Sequence, residues 1–324
     1  MEQSLAQAAA RLAELLTGRL AALSDPTGRD LLFEPEIVLR PLARGAAPAD
    51  VWAVDGGQAL VADARCVQLL VTRAARVRFV VGERVLDDEG DLRAHLLGSG
   101  EERAALESLG LGLDVQTSVD ANLLRDRWEW EAAARCVDEA EPGALVLVDG
   151  DLVPDWRIPS TFVADLLVRA GERGVLVAGV TKHSSLARGG APLVGQLELE
   201  AAVELGARAT WWAPVARTRS DLEQGGLQVV VARLDPDARF AFRIDLPASA
   251  DPEAALGAIS AVSDDAGFPG YPYPLSVADQ LAACPPWLRQ ELWLQLDDLF
   301  DRAGVPYDVR ERAFADRHNL MERA

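Results

Sequence analysis

The sequence predicts an α/β protein: a mixed β-sheet flanked by helices, with helical elaborations at both ends. Three observations predict it. Strand-like runs crowd residues 51–85, with turn formers between them. Two short, wholly apolar runs, "ALVLVDG" at 144–150 and "VLVAGVTK" at 175–182, have the composition of strands buried on both faces. Helix-prone segments precede and separate those two runs, which is the alternation of an α/β layer.

The elements follow in order. Residues 4–24 place Leu5, Ala8, Leu12, Leu15, Leu16, Leu20 and Leu23 at helical spacing. This amphipathic helix either mediates dimerisation or lies on its own domain. A Pro-rich approach leads to "VWAVDGG", which reads as a strand ending at Asp55, and then to "CVQLLVTRAARV" and "RVRFVVGERV". These three form antiparallel strands. "DANLLRDRWEWEAAARCVDEA" is a helix stopped by "EPG". "STFVADLLVRAGERG" is another, opened by Ser160 or Thr161 and closed by glycine. From about residue 190, helices alternate with the strands "LQVVVARL" and "RFAFRIDL", and the chain ends in acidic, Trp-bearing helices. An N-terminal helical segment, 1–45, and a single larger domain, 46–324, are expected.

Composition narrows the function. Asp plus Glu outnumber Lys plus Arg by 51 to 32, a net charge of -19, which argues against nonspecific nucleic-acid binding by a basic surface. Bound cations or a DNA-delivering partner would relax that exclusion. Three cysteines without a CxxC offer no zinc signature and fit a reducing cytoplasm. The N-terminal stretch lacks the basic region of a signal peptide, and no run is apolar enough to span a membrane.

The tripeptide Val-Asp-Gly occurs twice, ending in Asp55-Gly56 and Asp149-Gly150. A carboxylate at a central strand is costly unless it is paired or binds a cation. Two such acids on neighbouring strands would make a site for Mg²⁺ or Mn²⁺, whose hard character suits oxygen ligands. Exposed turn aspartates are the alternative. The intervening helix offers Glu129 and Glu131, and extrapolation from Val137 puts Glu129 among apolar positions and Glu131 off that face. In "GVTKHSSLARGG", Lys182 at a strand end could hold a phosphate, or be a surface lysine. In "GFPGYPYPLSVADQLA", Asp279 follows a rigid Pro-rich lead and is either a further metal ligand or an ordinary acid in the first turns of its helix. His95, His183 and His318 receive no role. No GxSxG and no Walker motif occurs. An actin-like ATPase also has an early Asp-Gly turn, but its later phosphate loop has only "AGVTKHSS" to represent it.

"VWAVDGGQ", "ALVLVDGDL", "GVTKHS" and "GYPYPLSVADQLA" resemble, in order, the successive motifs of the NurA nucleases across about residues 50 to 285. The resemblance implies an RNase H-like fold and manganese-dependent 5′-to-3′ exonuclease activity, with endonuclease action on single-stranded DNA. It implies a homodimer working with the hexameric DNA translocase HerA in end resection. It assigns Asp55, Asp149, Glu129 or Glu131, Lys182 and Asp279 to the site, the acids as ligands of Mn²⁺ or Mg²⁺. Gly57 stands where the family commonly has serine, and Asp279 where it has histidine or an acid. A non-catalytic adaptor of the same fold, docking a motor, is the alternative function.

Overall fold

The computed structural model describes residues 4–16, 22–26, 31–110, 119–153, 157–218 and 226–315. Helix α1 (Leu5–Leu16) is followed by short strands β1 (Leu23–Ser24), β2 (Leu31–Phe33) and β3 (Arg40–Pro41). Long strands β4 (Asp50–Asp63) and β5 (Val67–Val80) come next, then β6 (Glu83–Asp88) and β7 (Arg93–Gly98). Helices α2 (Glu102–Leu109) and α3 (Ala121–Glu139) lead to β8 (Leu145–Asp149), α4 (Ser160–Glu172) and β9 (Leu176–Thr181). The remainder comprises β10 (Ala187–Arg188), β11 (Ala191–Pro192), α5 (Leu193–Glu204), β12 (Trp211–Thr218), β13 (Leu227–Arg233), β14 (Phe242–Pro247), α6 (Pro252–Ser260), α7 (Tyr273–Ala282), α8 (Pro286–Arg302) and α9 (Tyr307–Phe314).

One mixed sheet runs in the order β2-β12-β13-β14-β9-β8-β4-β5-β6, with β3 beside β12 and β7 beside β5. Strands β4, β8 and β9 are parallel and all other pairings in it are antiparallel. The expected mixed sheet is therefore present, but larger than the sequence suggested. The second and third strand-like runs join in β5, because no Gly, Pro, Asn or Asp interrupts the chain from Val67 to Val80, and the end of the third run opens β6. The expected helix over 4–24 is shorter: α1 closes at Leu16, Leu20 lies outside the described residues, and Leu23 is in β1. Residues 1–45 thus hold strands as well as a helix, two of which join the main sheet. No residue of α1 is buried, so its apolar row adds nothing to the core.

Side-chain alternation divides the core between the two faces. Trp52 and Val54 of β4 and Val146 and Val148 of β8 pack with α3 and α4 on one face. Val51 and Ala53 of β4 and Leu145 and Leu147 of β8 pack with α6 and α7 on the other. Helix α5 covers β12 and β13 on the α3 side. Helix α4 has Pro159 at its N-cap position, one residue before the expected hydroxyls.

The loop after β8 is tied down from below. Arg243 and Asp245 of β14 are almost wholly buried and joined by two hydrogen bonds, Nε to Oδ1 at 2.8 Å and a terminal nitrogen to Oδ2 at 2.9 Å. The Leu152 amide donates to the same carboxylate at 3.1 Å. Removing the acid would strand a buried guanidinium. Asp245→Ala is expected to cost about 3–5 kcal/mol in urea unfolding; an unchanged midpoint would show the pair to be dispensable.

Candidate active site

The recurrence of Val-Asp-Gly is explained by strand register. Ala53 pairs with Leu147 and Val54 with Val148 in the parallel β4–β8 ladder. Asp55 and Asp149 follow that last pair, so the two acids stand side by side on the α7 face. Asp55 does not end its strand as expected; β4 continues to Asp63 while β8 stops at Asp149. Gly150, at φ 117°, turns the chain away there, a conformation that disfavours any side chain.

Helix α7 brings the third acid. Carboxylate oxygens of Asp55, Asp149 and Asp279 lie within 4.8 Å of one another. Asp279 is in the second half of α7 rather than its first turns, so it is not an acid serving the helix N-terminus. Lys182, just past β9, donates to Asp149 Oδ2 at 2.6 Å and to Asp279 Oδ1 at 3.1 Å. Burial lowers its pKa, but Asp149 and Asp279 outweigh that and raise it.

Glu129 approaches from the opposite face of the sheet. It is buried on α3, with Arg125 Nε 3.0 Å from its Oε1. Gly56 leaves the gap for it: a Cβ there would stand 2.0 Å from Glu129 Oε1. Its carboxylate is not one of the three that converge within 4.8 Å, but it is close enough to raise the pKa of Asp55. Glu131 turns away and pairs with Arg93 at 3.3 Å and Arg127 at 3.5 Å. The helical extrapolation that separated the two glutamates matches this arrangement.

The charge balance of the site is unfavourable without a cation. Burial, then Asp149 and Glu129, push Asp55 up from 3.8 to about 9. Burial pushes Glu129 up to about 8 against the pull of Arg125. Carboxylates gathered this way, with a lysine and an arginine as counter-ions, are a donor set that fits a hard divalent ion. Asp55, Asp149 and Asp279 would hold it.

Other residues at the site escaped the sequence reading. Tyr271 is buried with its hydroxyl beside Asp149, without a well-formed hydrogen bond, and Lys182 Nζ is 5.0 Å from the ring centroid. Burial and the neighbouring Asp149 and Asp55 raise its phenol pKa. The tyrosines of "GYPYP" were visible, but packing rings and site residues look alike in sequence.

Gly57 is needed for a different reason from Gly56. A Cβ on it would stand 1.8 Å from the Ala282 carbonyl oxygen at the end of α7. Arg73, its cross-strand partner on β5, donates from Nε to the same oxygen at 3.0 Å and also to the Ala283 carbonyl. Together they seat the helix that carries Asp279. Of the histidines, His95 is a core residue bonded to Thr72 at 3.1 Å and stacked on Trp128; His183 is exposed, and His318 lies outside the described residues.

This architecture is an RNase H-like fold, a mixed sheet with its acids at the centre and helices on both faces. More particularly, the chain has the NurA-type fold. The crystal structure of the NurA nuclease from Sulfolobus solfataricus superimposes with a TM-score of 0.59 at 14% identity, over 92% of this chain and 94% of that one. The catalytic domain of human Endonuclease V aligns with a TM-score of 0.40 at 17% identity, over 82% and 92%. Ciona intestinalis Endonuclease V bound to an inosine-containing DNA aligns at 0.39 and 12%, over 76% and 86%. No family model matches the chain, and no curated protein matches it in sequence.

Proposed function

We propose that the protein is a metal-dependent DNA nuclease that hydrolyses phosphodiesters. The observation that carries this reading is the convergence of Asp55, Asp149 and Asp279 within 4.8 Å at the centre of an RNase H-like sheet. A Mn²⁺ or Mg²⁺ ion held there would polarise the phosphodiester and lower the pKa of an attacking water. Lys182 neutralises charge on the phosphate from the β9 side, being already poised between two of the acids. Glu129 supplies a further carboxylate through the Gly56 gap, and Tyr271 walls the site from water on the α7 side.

The finer reading follows the resemblance: 5′-to-3′ exonuclease and single-stranded endonuclease action at DNA ends, as a homodimer with a HerA-type hexameric ATPase, in the cytoplasm. The net charge of -19 supports a delivering partner, since the protein's overall field repels DNA. The free state of Cys66, Cys136 and Cys284 suits a reducing compartment. Among the described residues no helix is long and apolar enough to cross a membrane.

The test is digestion of 5′-labelled single-stranded DNA with Mn²⁺ by wild type, Asp55→Ala and Asp149→Ala. Both variants are expected to lose about 10³-fold or more in rate, the scale on which electrostatic stabilisation of a transition state acts. Equal activity in all three would sink the assignment. A wild type that neither cuts DNA nor binds Mn²⁺ in calorimetry would be the adaptor instead.

A further inference from the structure

Two cavities of similar size, about 370 Å³ each, have opposite chemistry, and the first is lined by a residue of the acid cluster, Asp149. The first is lined by Asp126, Glu129, Asp149 and Asp151, and its arginine, Arg125, already pairs with Asp126 and Glu129. A polyanion gains nothing there. The second has no acid in its wall. It lies along the ribbon formed by β4 and β5 beyond Val54, where β4 no longer pairs with β8. Leu60 and Leu70, a cross-strand pair, make its apolar floor, and Gln58 and Gln68 add amides. Arg289, at the start of α8, supplies a cation with no ion-pair partner among the described residues.

We infer that this second cavity is the subsite for the nucleotide flanking the cut, taking one unit of single-stranded DNA. The inference rests on the nuclease reading. Cys284 connects the two places: it lines the cavity, and its sulfur lies 3.4 Å from where a Gly57 Cβ would be. Gly57 is two residues along β4 from Asp55, about 7 Å at strand rise. The Cys284 wall of the cavity therefore lies about one nucleotide from a phosphate at the cluster, and its floor of Gln58, Leu60 and Leu70 continues past the free edge of β4 onto the α3 face. Its volume is in the range of small-ligand sites. Leu60 and Leu70 offer a base its apolar contact. Gln58 Oε1 is buried without a hydrogen-bond donor among the described residues, an acceptor suited to a base amine. Arg289 faces the next phosphate. Charge decides the direction: a strand leaving through the first cavity would run past four carboxylates, and through the second past none.

The experiment is fluorescence anisotropy of a labelled decathymidylate with the full chain in Ca²⁺, over a range of salt. Arg289→Glu and Leu60→Asp alter exposed residues, so folding is spared. Each is expected to weaken binding about tenfold, and Arg289→Glu to reduce the salt slope by about one. Arg302→Glu, the same charge change further along α8, is the control and is expected to stay within about twofold, as exposed charges act weakly at a distance. Affinities equal to wild type in both cavity variants, or a loss in Arg302→Glu as large as theirs, would overturn the subsite. Wild-type hydrolysis of bis(p-nitrophenyl) phosphate with Mn²⁺ tests the underlying reading separately. If it is absent while the cavity variants still lose affinity, the subsite stands as a DNA-binding site and the nuclease reading fails.

Discussion

Gly57→Ser, which installs the residue common in the NurA motif, is expected to lower Mn²⁺ affinity and DNA cleavage by about 10²-fold, the scale at which a displacement of about 1 Å acts. The added Cβ would meet a backbone carbonyl at 1.8 Å, and neither strand nor helix can yield by a rotamer change. Helix α7 must lift, and Asp279 lifts with it. Arg73 resists that movement through its bonds to Ala282 and Ala283, so the substitution also costs stability, by about 1–3 kcal/mol. Gly56→Ala separates the two effects. Its Cβ would meet Glu129 from Cγ to Oε1 at 2.0–2.6 Å, a buried side chain on the other face of the sheet and not the backbone of α7, so Glu129 must change rotamer and leave Arg125 while α7 keeps its seat. Calorimetric titration with Mn²⁺ and a thermal melt distinguish the outcomes. Wild-type metal affinity in Gly57→Ser would refute the close approach.

The second large effect is a coupling between pH, metal and stability. Asp55 sits at about 9 in the folded protein against an ordinary 3.8, from burial, then Asp149 and Glu129. Glu129 is raised in the same direction. The native protein therefore binds more protons than the unfolded chain between about pH 4 and pH 9. Stability that is complete below about pH 4 is lost as the pH rises through about 9. In EDTA, the melting temperature should fall across that window. Asp55→Asn removes the proton requirement and should raise the melting temperature of the metal-free protein near pH 8 by about 3–6 °C. With Mn²⁺ the order reverses. At about a hundred times its dissociation constant the ion should stabilise wild type by about 2.7 kcal/mol and Asp55→Asn by much less. Equal Mn²⁺ stabilisation of both proteins would exclude Asp55 as a ligand.

Much of the candidate site was legible because its chemistry violates ordinary burial rules. An acid inside an apolar strand draws attention wherever it occurs, and Asp55 and Asp149 did so. Glu129 was separable from Glu131 because helical periodicity assigns faces without knowledge of the fold. Tyr271 was not legible, since an aromatic ring in a Pro-rich turn has a sufficient structural reason to be there. Arg125 was not singled out either, because its i,i+4 pair with Glu129 on the same helix looks in sequence like an ordinary solvated ion pair. The strand boundaries failed for a local reason. Asp-Gly-Gly reads as a turn, but β4 runs through it because both sides of the strand are crowded by other elements and only glycine fits.

By itself the sequence determined the kind of fold and the acids from which a cation site could be made: strand periodicity, buried apolar runs and isolated carboxylates are local properties. Only the tertiary structure decided how those acids meet. Parallel register sets Asp55 beside Asp149, and Gly56 opens the sheet to Glu129. Gly57 with Arg73 brings α7 close enough to deliver Asp279. Each of these is a distance between segments far apart in the chain. Such distances arise from packing, which no single stretch of sequence contains.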